Sequence, residues 1–352
     1  MSEPRVSILM SVYNGEKHLP EAIESIVHQT YDDFEFLVID DASSDRSAEI
    51  IASYSDPRIR VLRNEHNLGL TRSLNALIGA SRGELVARMD ADDVSSPLRI
   101  ELQVKEFDAN PGLDIVGSYF EIIDRGGIVV RSVVMETDPI HRLWRLQFHN
   151  RYAHGGIMIR KAALVAAGLY DEDFRTAQDY DLWSRLATPK NTCVIPRFLY
   201  RWRQIHGGVQ VSSERLALQV ANAVNISNLN LLTCNPCLDL KACSDVRPLY
   251  WKYEKTLMSI DCVGQILCLV QSFSRRFDLS QGEELRLRQT VIADLIGYVL
   301  AYRRVPFVDR IRLGVQLVRK LNSPVLRNVL RRIWKSLAIS RRSLFAANWR
   351  PD

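Results

Sequence analysis

The fold class follows from residues 5–40, RVSILMSVYNGEKHLPEAIESIVHQTYDDFEFLVID. RVSILMSV and FEFLVID are short runs rich in apolar and β-branched residues, which predicts two strands. The segment between them, EKHLPEAIESIVHQT, carries apolar residues at helical spacing. A strand, a helix and a second strand form a βαβ unit, in which the strands are parallel and the sheet is buried on both faces.

The same alternation continues along the chain, with strands and helices following one another. The further strands are predicted at 58–64, 84–90, within 112–136, at the start of 155–168 and at 192–202, and the further helices at 47–54, 71–81, 97–109, the end of 155–168 and 179–187. We therefore predict an α/β fold with a Rossmann-like, mostly parallel sheet flanked by helices. The predicted domains are a catalytic domain of residues 1–210 and a helical, basic C-terminal region of residues 211–352.

The composition is that of an ordinary soluble globular protein, with 47% hydrophobic and 25% charged residues. No run of 18 apolar residues occurs, which predicts that no helix spans a membrane. The N-terminus lacks the basic start and apolar core of a secretion signal. We expect a cytoplasmic protein.

The net charge of +5 is unevenly distributed. Residues 301–352 carry thirteen Lys or Arg and two Asp, so the rest of the chain is mildly acidic. Within this basic tail, 311–337 has apolar residues at helical spacing with Arg and Lys between them. Such a helix can lie on an anionic membrane, or its apolar stripe can pack on the body of the protein. Nucleic acid is not expected as a partner, because no aromatic stacking motif accompanies the basic residues.

Polar clusters follow each of the first four predicted strands. They are SVYNG at 11–15, DDASSD at 40–45, NEHNLG at 64–69 and DADD at 90–93. Because the strands are parallel, all four clusters should meet at one edge of the sheet, outside the carboxyl ends of the strands. Ligands of such sheets bind at that edge.

The segment RMDADDVSSP at 88–97 brings Asp90, Asp92 and Asp93 close together, although like charges repel. A hard cation shared with phosphates, Mn²⁺ or Mg²⁺, would account for them. The alternative is that Asp93 or a following serine caps the helix that begins at Pro97. This alternative does not explain why Asp90 is present.

Asp40 and Asp41 present a similar choice. An acidic side chain after a strand can accept from a base N–H or a ribose hydroxyl, whereas Ser44 or Asp45 could supply the cap of the next helix. No GxGxxG follows the first strand and no GxxxxGK[ST] occurs, so phosphate is expected to be handled by the metal.

Taken in order, SVYNG, DDASSD, NLG, DADD with the following PLRIELQ, and QDYDLW resemble the family 2 glycosyltransferases, which have the GT-A fold. The resemblance covers roughly residues 4–206. It implies transfer of a sugar from a nucleotide-sugar, UDP-sugars being the commonest donors, to a glycan or lipid-linked acceptor. It also implies the cofactor, Mn²⁺ or Mg²⁺.

The resemblance assigns roles to individual residues. Asp92 would bind the metal, with His206 as a second ligand. The residues implied to bind the nucleotide-sugar are Val12, Tyr13, Asn14, Asp40, Asp41, Asn67, Asp90 and His154. Either histidine could instead be structural.

Asp179 is the implied catalytic base, which deprotonates the acceptor hydroxyl. Here Gln178 replaces the Glu that usually precedes it, which leaves Asp181 as an alternative, and Asp179 could instead cap its helix. One base and no opposing nucleophile predict an inverting displacement. The QxxRW-like run at 147–152 precedes Asp179, so we predict transfer of a single sugar, in the biosynthesis of a surface polysaccharide. Two other functions remain open: a non-catalytic nucleotide-sugar binder, suggested by Gln178, and a nucleotidyltransferase.

Overall fold

The computed structural model describes residues 3–204, 213–247 and 262–301. The chain divides into two compact units after Asn230, and each is described here by itself. The first unit contains the strands β1 Val6–Val12, β2 Phe34–Asp40, β3 Ile59–Arg63, β4 Leu85–Asp90, β5 Val94–Ser95, β6 Ile115–Ile123, β7 Val129–Val133, β8 Met158–Arg160 and β9 Thr192–Arg203. Its helices are α1 Leu19–Val27, α2 Ser47–Ala52, α3 Leu70–Ala80, α4 Arg99–Ala109, α5 Pro139–Leu146, α6 Lys161–Ala166 and α7 Gln178–Leu186, with a short 3₁₀ turn at His154–Gly156.

The strands of the first unit form one sheet in the order β3-β2-β1-β4-β8-β6-β9-β5, with β7 paired to β6. The first four strands are mutually parallel, and β6 is parallel to β9. Strands β5, β7 and β8 run antiparallel to their neighbours. The prediction of a mostly parallel α/β sheet is therefore confirmed, and the antiparallel strands complete it.

The centre of the sheet is buried because its strands are almost continuously apolar. All residues of β2 are buried, as are all of β1 except Ser11. Helix α1 covers the sheet with Leu19, Ile23 and Ile26, which lie at helical spacing on one face. This rigid centre fixes the positions of the loops that follow each strand.

Helix α5 was not predicted, and its composition shows why. Asp138 caps it through a side chain that accepts from the amide of His141, and Pro139 occupies its first position. Its buried face includes Arg142, which donates to the carbonyls of Glu136 and Thr192. A buried arginine interrupts the apolar periodicity that marks a helix in the sequence.

A further helix, α8 Ser213–Cys234, crosses the division between the two units. In the first unit, Asn230 of this helix donates to the Ser184 hydroxyl of α7. The described part of the second unit is helical, as predicted, with α9 Leu240–Val246, α10 Cys262–Arg276 and α11 Gln281–Ala301. In the described ranges, none of the helices has the length and apolar character needed to cross a bilayer. The predicted amphipathic segment 311–337 lies outside the described residues.

Candidate active site

The carboxyl ends of the central strands lie level with one another. Val12 of β1 is the register partner of Asp40 of β2, and Ser11 is the partner of Asp90 of β4. Asp40 is in turn the partner of Arg63 of β3. The polar clusters that follow these strands therefore meet at one edge, as the parallel order predicts.

The loops after β1 and β2 are joined to each other by hydrogen bonds. Asn14 has a left-handed backbone, and its side-chain oxygen accepts from the Ser44 amide at 2.8 Å. The Gly15 amide donates to the Ser47 hydroxyl at 2.9 Å, and the Glu16 amide donates to Asp45. Both Tyr13 and Asn14 remain exposed at the rim of this edge.

The adjacent carboxylates Asp40 and Asp41 are both 2% exposed but have different environments. Asp41 accepts from the Asn64 side chain and from the amides of Leu68 and Gly69, so it closes the loop that precedes α3. Asp40 accepts from the Ser43 amide through one oxygen. Its other oxygen lies 3.5 Å from the Arg63 guanidinium but accepts no hydrogen bond, which leaves Asp40 the carboxylate with acceptor capacity to spare.

Asn67 lies in the loop that Asp41 closes. Its side chain is exposed, and it has no hydrogen-bond partner in the described ranges. It therefore lies at the rim of the same edge, beyond the buried end of β2.

The three carboxylates of DADD also differ. Asp93 is 1% exposed and accepts from the Tyr200 hydroxyl at 2.5 Å and the Arg203 amide at 2.7 Å. Burial and the neighbouring Asp90 and Asp92 raise the pKa of Asp93 well above its usual range. Asp93 thus anchors the DADD loop to β9. It does not cap α4, which begins without a side-chain cap.

Asp90 and Asp92 have different partners from Asp93. Asp90 accepts from the guanidinium of Arg88, a residue within the apolar strand β4 whose side chain is only 3% exposed. Asp92 accepts no hydrogen bond from any other residue in the parts of the chain that the structure describes. Burial, and then the charge of Asp90, raise the pKa of Asp92 to about 6. Such a carboxylate is poised to exchange its proton for a cation.

The 3₁₀ turn His154–Gly156 packs directly against Asp90. A Cβ atom on Gly155 would lie 1.8 Å from the Tyr200 hydroxyl and 2.8 Å from an oxygen of Asp90. The turn is held from beneath by the PLRIELQ segment, because Arg99 donates to the Gly155 carbonyl and Gln103 donates to that of Gly156. This motif therefore supports the site without contributing a group to its surface.

Gly155→Ala should test this close packing. We expect a loss of about 1–3 kcal/mol in the free energy of unfolding, because neither Tyr200 nor Asp90 can move without breaking its own hydrogen bonds. In contrast, Gly79→Ala, in α3 with nothing within 4 Å of the added atom, should gain about 0.5–1 kcal/mol. Chemical denaturation of both variants measures this difference, and equal stabilities would contradict the packing argument.

Asp179 lies at the start of α7, partly exposed, and accepts from the Asn150 side chain at 2.6 Å. Asn150 is itself held by the Tyr152 amide, which donates to its side-chain oxygen at 3.0 Å. Burial is the main cause that raises the pKa of Asp179, to about 6, and the charge of Asp90 adds to it. The helix-start amides and Asn150 act in the opposite direction. Asp181, by comparison, is paired with Arg185 at 2.7 Å.

His154 connects these groups. Its Nε2 lies 2.8 Å from the Tyr170 hydroxyl, and its ring makes edge contacts with Tyr170 and Trp183. Burial lowers the pKa of His154 to about 3, so the ring is neutral at physiological pH. Burial raises the pKa of Tyr170, the charge of Arg88 lowers it, and the charges of Asp179 and Asp90 both raise it.

The structure thus brings most predicted site residues to one edge, and adds several that were not predicted. The additional groups are Arg88, Asn150, Tyr170, Tyr200 and Gly155. Only Arg88 left a visible signal, as a charge inside an otherwise apolar strand. His206 lies outside the described residues, so its role as a metal ligand stays a prediction.

Comparison with known proteins identifies the family. The family model "Glycosyl transferase family 2" matches residues 7–166. An uncharacterized glycosyltransferase of Methanocaldococcus jannaschii, MJ1057, is 34% identical over 208 residues, 58% of this chain and 72% of that protein. The chain belongs to glycosyltransferase family 2.

Two relatives whose names state a pathway or an activity are also similar. The O-antigen biosynthesis glycosyltransferase WbnJ of Escherichia coli is 31% identical over 51% of this chain and 71% of its own length. The E. coli enzyme named UDP-Glc:alpha-D-GlcNAc-diphosphoundecaprenol beta-1,3-glucosyltransferase WfgD is 29% identical over 55% of this chain and 74% of its own. The chain is accordingly a glycosyltransferase, with relatives in polysaccharide biosynthesis.

Solved structures agree on the fold. TarS residues 1–349 of S. aureus in complex with UDP-GlcNAc has a TM-score of 0.55 at 17% identity, covering 90% of this chain and 92% of that one. A mannosyltransferase of Pyrobaculum calidifontis in complex with GDP-Man and Mn²⁺ has a TM-score of 0.51 at 15% identity, covering 86% and 88%. The fold of this family 2 chain is the GT-A fold that its motifs imply.

The donor set of the glycosyltransferase site suits a divalent cation that is shared with a ligand. Within the described residues, no group of three or more His, Cys, Asp or Glu side chains could hold an ion by itself. Asp92 and Asp90 supply carboxylate oxygens, and no other side chain in the described part of the chain competes for Asp92. Hard cations accept such an incomplete set when phosphate oxygens fill the remaining positions. The residues present therefore fit Mn²⁺ or Mg²⁺ bound together with a nucleoside diphosphate.

Proposed function

We propose that this chain is an inverting, metal-dependent glycosyltransferase that adds a single sugar from a nucleotide-sugar to a glycan or lipid-linked acceptor. One observation carries the proposal. Two half-buried carboxylates, Asp92 and Asp179, lie around the same Asp90, and the pKa of each is raised to about 6. In the described residues Asp92 accepts no hydrogen bond from another residue, which suits a cation, and Asp179 is oriented by the Asn150 side chain, which suits a base.

The donor nucleotide is proposed to lie along the level ends of β1, β2 and β4. Asp40 offers a buried oxygen that accepts no hydrogen bond in the described residues, which suits a base N–H or a ribose hydroxyl. Val12 would lie beneath the nucleotide, and the loop held by the hydrogen bonds of Asn14 would lie beside it. Asp41 would act indirectly, by holding the loop that carries Asn67. UDP is the donor nucleotide we expect.

Asp92, with Asp90 beside it, is proposed to hold Mn²⁺ or Mg²⁺, and His206 remains the predicted second ligand. A bound divalent cation would offset the negative charge that develops on the departing nucleoside diphosphate. Arg88 orients Asp90 through their ion pair. His154 stays neutral and adds no positive charge of its own.

Asp179 is the proposed general base. With a pKa near 6 it is mostly ionised at neutral pH, yet basic enough to take a proton from an acceptor hydroxyl. Asp181 is a poor candidate, because Arg185 already occupies its carboxylate. With one base in place, a direct displacement inverts the anomeric carbon.

Asn150→Ala should shift the pH dependence of this base. Losing the 2.6 Å hydrogen bond removes an influence that lowers the pKa of Asp179, so the acidic limb of the kcat profile should move to higher pH. We expect about a tenfold loss of kcat near pH 6.5 and recovery above about pH 8. The measurement is the pH profile of nucleoside diphosphate release.

The matched control for Asn150 is Asn75→Ala. Asn75 also anchors a loop, through both the amide and the carbonyl of Tyr170. Its removal should lower stability and leave the position of the acidic limb unchanged. If the acidic limb of the kcat profile did not move in Asn150→Ala, the Asn150 side chain would have no influence on the pKa of Asp179.

The acceptor and the location are proposed from the relatives. WbnJ is named as an O-antigen biosynthesis glycosyltransferase, and the name of WfgD includes a GlcNAc-diphosphoundecaprenol acceptor. We propose a surface polysaccharide as product and a site of action at the inner face of the cytoplasmic membrane, with 311–337 as a candidate membrane contact. Transfer of one sugar rests on the position of 147–152 before Asp179.

Release of nucleoside diphosphate from a panel of nucleotide-sugars tests the proposal. The assay compares Mn²⁺, Mg²⁺ and EDTA, with and without lipid-linked acceptor extract. Release from one donor that stops with EDTA supports the enzyme and identifies its nucleotide. Metal-dependent donor binding by calorimetry without release, acceptor included, would instead support the non-catalytic binder that Gln178 suggests.

A further inference from the structure

The hairpin formed by β6 and β7 presents an apolar surface to solvent. Its outer segment, residues 125–134 (RGGIVVRSVV), is here called the apolar hairpin. The side chains of Ile128, Val130 and Val134 are 68%, 57% and 57% exposed, and Val129 is 41% exposed. Single exposed apolar residues are common, but four within seven positions form a patch that calls for a partner.

This hairpin lies on an open edge. In the described part of the chain, β7 pairs only with β6, so its outer N–H and C=O groups face away from the sheet. Folded proteins usually protect such an edge with charges, a bulge or a covering segment. Here β7 has one charge, Arg131, and its pairing with β6 shifts register between Ile122 and Ile123, but three of its five residues are valines.

The charges of the apolar hairpin are all positive. Arg125 and Arg131 are exposed, and neither has an ion pair in the described residues. The only neighbouring carboxylate in the turn, Asp124, accepts from the amides of Gly126 and Ile128 and so shapes the turn. Burial and then the charge of Arg145 lower the pKa of Arg151, the charge of Glu136 acts in the opposite direction, and the charge of Arg131 lowers it further. The patch therefore complements an anionic surface.

The hairpin is also tied to the acidic cluster of the site. Arg203 donates to the carbonyls of Asp124 and Arg125 at the turn, at 3.2 Å each. The same guanidinium donates to the Asp92 carbonyl at 2.7 Å, and the Arg203 amide donates to Asp93. One side chain thus separates the base of the hairpin from the proposed cation ligand.

We propose that the apolar hairpin docks on an anionic lipid bilayer. Ile128, Val129 and Val130 enter the boundary between headgroups and acyl chains, while Arg125 and Arg131 contact lipid phosphates. This contact is separate from the basic tail and does not require the catalytic assignment. It would bring the end of β4 to the membrane surface, where a lipid-linked substrate presents its polar head.

A second copy of the chain fits the hairpin less well. β7 has five residues centred on Arg131, so antiparallel pairing of all five with a second copy places Arg131 opposite its counterpart. Like charges directly opposite are destabilising. A bilayer takes the same apolar side chains and pairs the arginines with phosphates.

Flotation of the full chain with vesicles tests the proposal. The vesicles are phosphatidylcholine alone, or phosphatidylcholine with about a third phosphatidylglycerol. We expect the native chain to float with the anionic vesicles, and Ile128→Ser/Val130→Ser to reduce the partition coefficient about tenfold or more. The control Val165→Ser changes a valine of α6 that is also 57% exposed, and should bind as the native chain does.

A charge variant and a reporter complete the test. Arg131→Glu should lower binding about fivefold or more, whereas Arg46→Glu, a highly exposed arginine in the first unit, should not. Val130→Trp should show a blue shift on adding anionic vesicles, above the signal of the six native tryptophans, and Val165→Trp should show none. No flotation of the native chain, or binding unchanged in the hairpin variants, overturns the proposal. Release of nucleoside diphosphate from the donor without vesicles should remain in every hairpin variant, which separates this test from that of the enzyme.

Discussion

Asp179→Asn should lower kcat for sugar transfer by about 10³-fold and leave donor binding close to native. The substitution keeps the shape of the side chain and its contact with Asn150, but it removes the only oriented carboxylate at this position. The acceptor hydroxyl would then lose its proton to water. Initial rates of transfer, with donor affinity measured by calorimetry, separate the two effects.

The control for this variant is Asp181→Asn, two residues further along the same helix. Asp181 is held by Arg185, so its loss should affect stability and change kcat less than about threefold. If Asp181→Asn were the inactive variant and Asp179→Asn the active one, the assignment of the base would be reversed.

The pH dependence of the native chain follows from the same carboxylate. Only the ionised form accepts a proton, so kcat should rise with pH through about 6. The contribution of Asp179 to the free energy of unfolding changes with pH in the opposite direction. Because the folded pKa of about 6 exceeds the value of about 3.9 in an unfolded chain, the favourable contribution is complete below about pH 4 and is lost as pH rises through 6. Asp179→Asn should therefore unfold at a higher temperature than the native chain near pH 7.5 and at a similar one near pH 4.

Asp92→Asn should abolish metal-dependent donor binding and reduce kcat/KM by about 10²-fold or more. The carboxylate has no hydrogen-bond partner to lose in the described structure, so the fold should be retained. An asparagine at position 92 carries no charge, so it should also remove the repulsion from Asp90. That repulsion, after burial, raises the pKa of Asp92. Titration of donor with Mn²⁺ or EDTA, together with circular dichroism, measures both outcomes.

Asp114→Asn is a suitable comparison for Asp92. Asp114 is also half-buried, but it lies at the start of β6, on the opposite edge of the sheet. Its side chain accepts a hydrogen bond from Asn191. It should bind donor with the same metal dependence as the native chain. If metal-dependent donor binding survived in Asp92→Asn, the assignment of the cation to the end of β4 would be wrong.

The position of the site could be predicted from the sequence because it depends on strand polarity. Once β1, β2 and β4 are parallel, Val12, Asp40 and Asp90 must come to the same edge, and the register confirms this. The separate environments of neighbouring carboxylates were beyond prediction. Asp92 and Asp93 are adjacent in sequence, but only the return of β9 buries one of them against Tyr200.

Contacts between distant segments were equally hidden. Asn150 meets Asp179 because the loop after α5 crosses the start of α7, and no periodicity announces such a crossing. Arg88 could be noticed as a charge in an apolar strand, but its ion pair with Asp90 depends on the conformation of the side chain within the core. Local pattern predicts elements and their order. It does not predict which polar groups will be satisfied by one another.

The turn at Gly155 has a consequence for engineering donor preference. Any side chain there collides with Tyr200 and Asp90, and the neighbouring Arg88 and Asp93 are fixed by bonds of their own. Libraries that vary these positions would mostly yield destabilised chains. Tyr13 and Asn67 are exposed at the rim and have no hydrogen-bond partner in the ranges the structure describes, so they can be varied freely without weakening the scaffold. Selection for a new sugar or nucleotide should begin with those two residues.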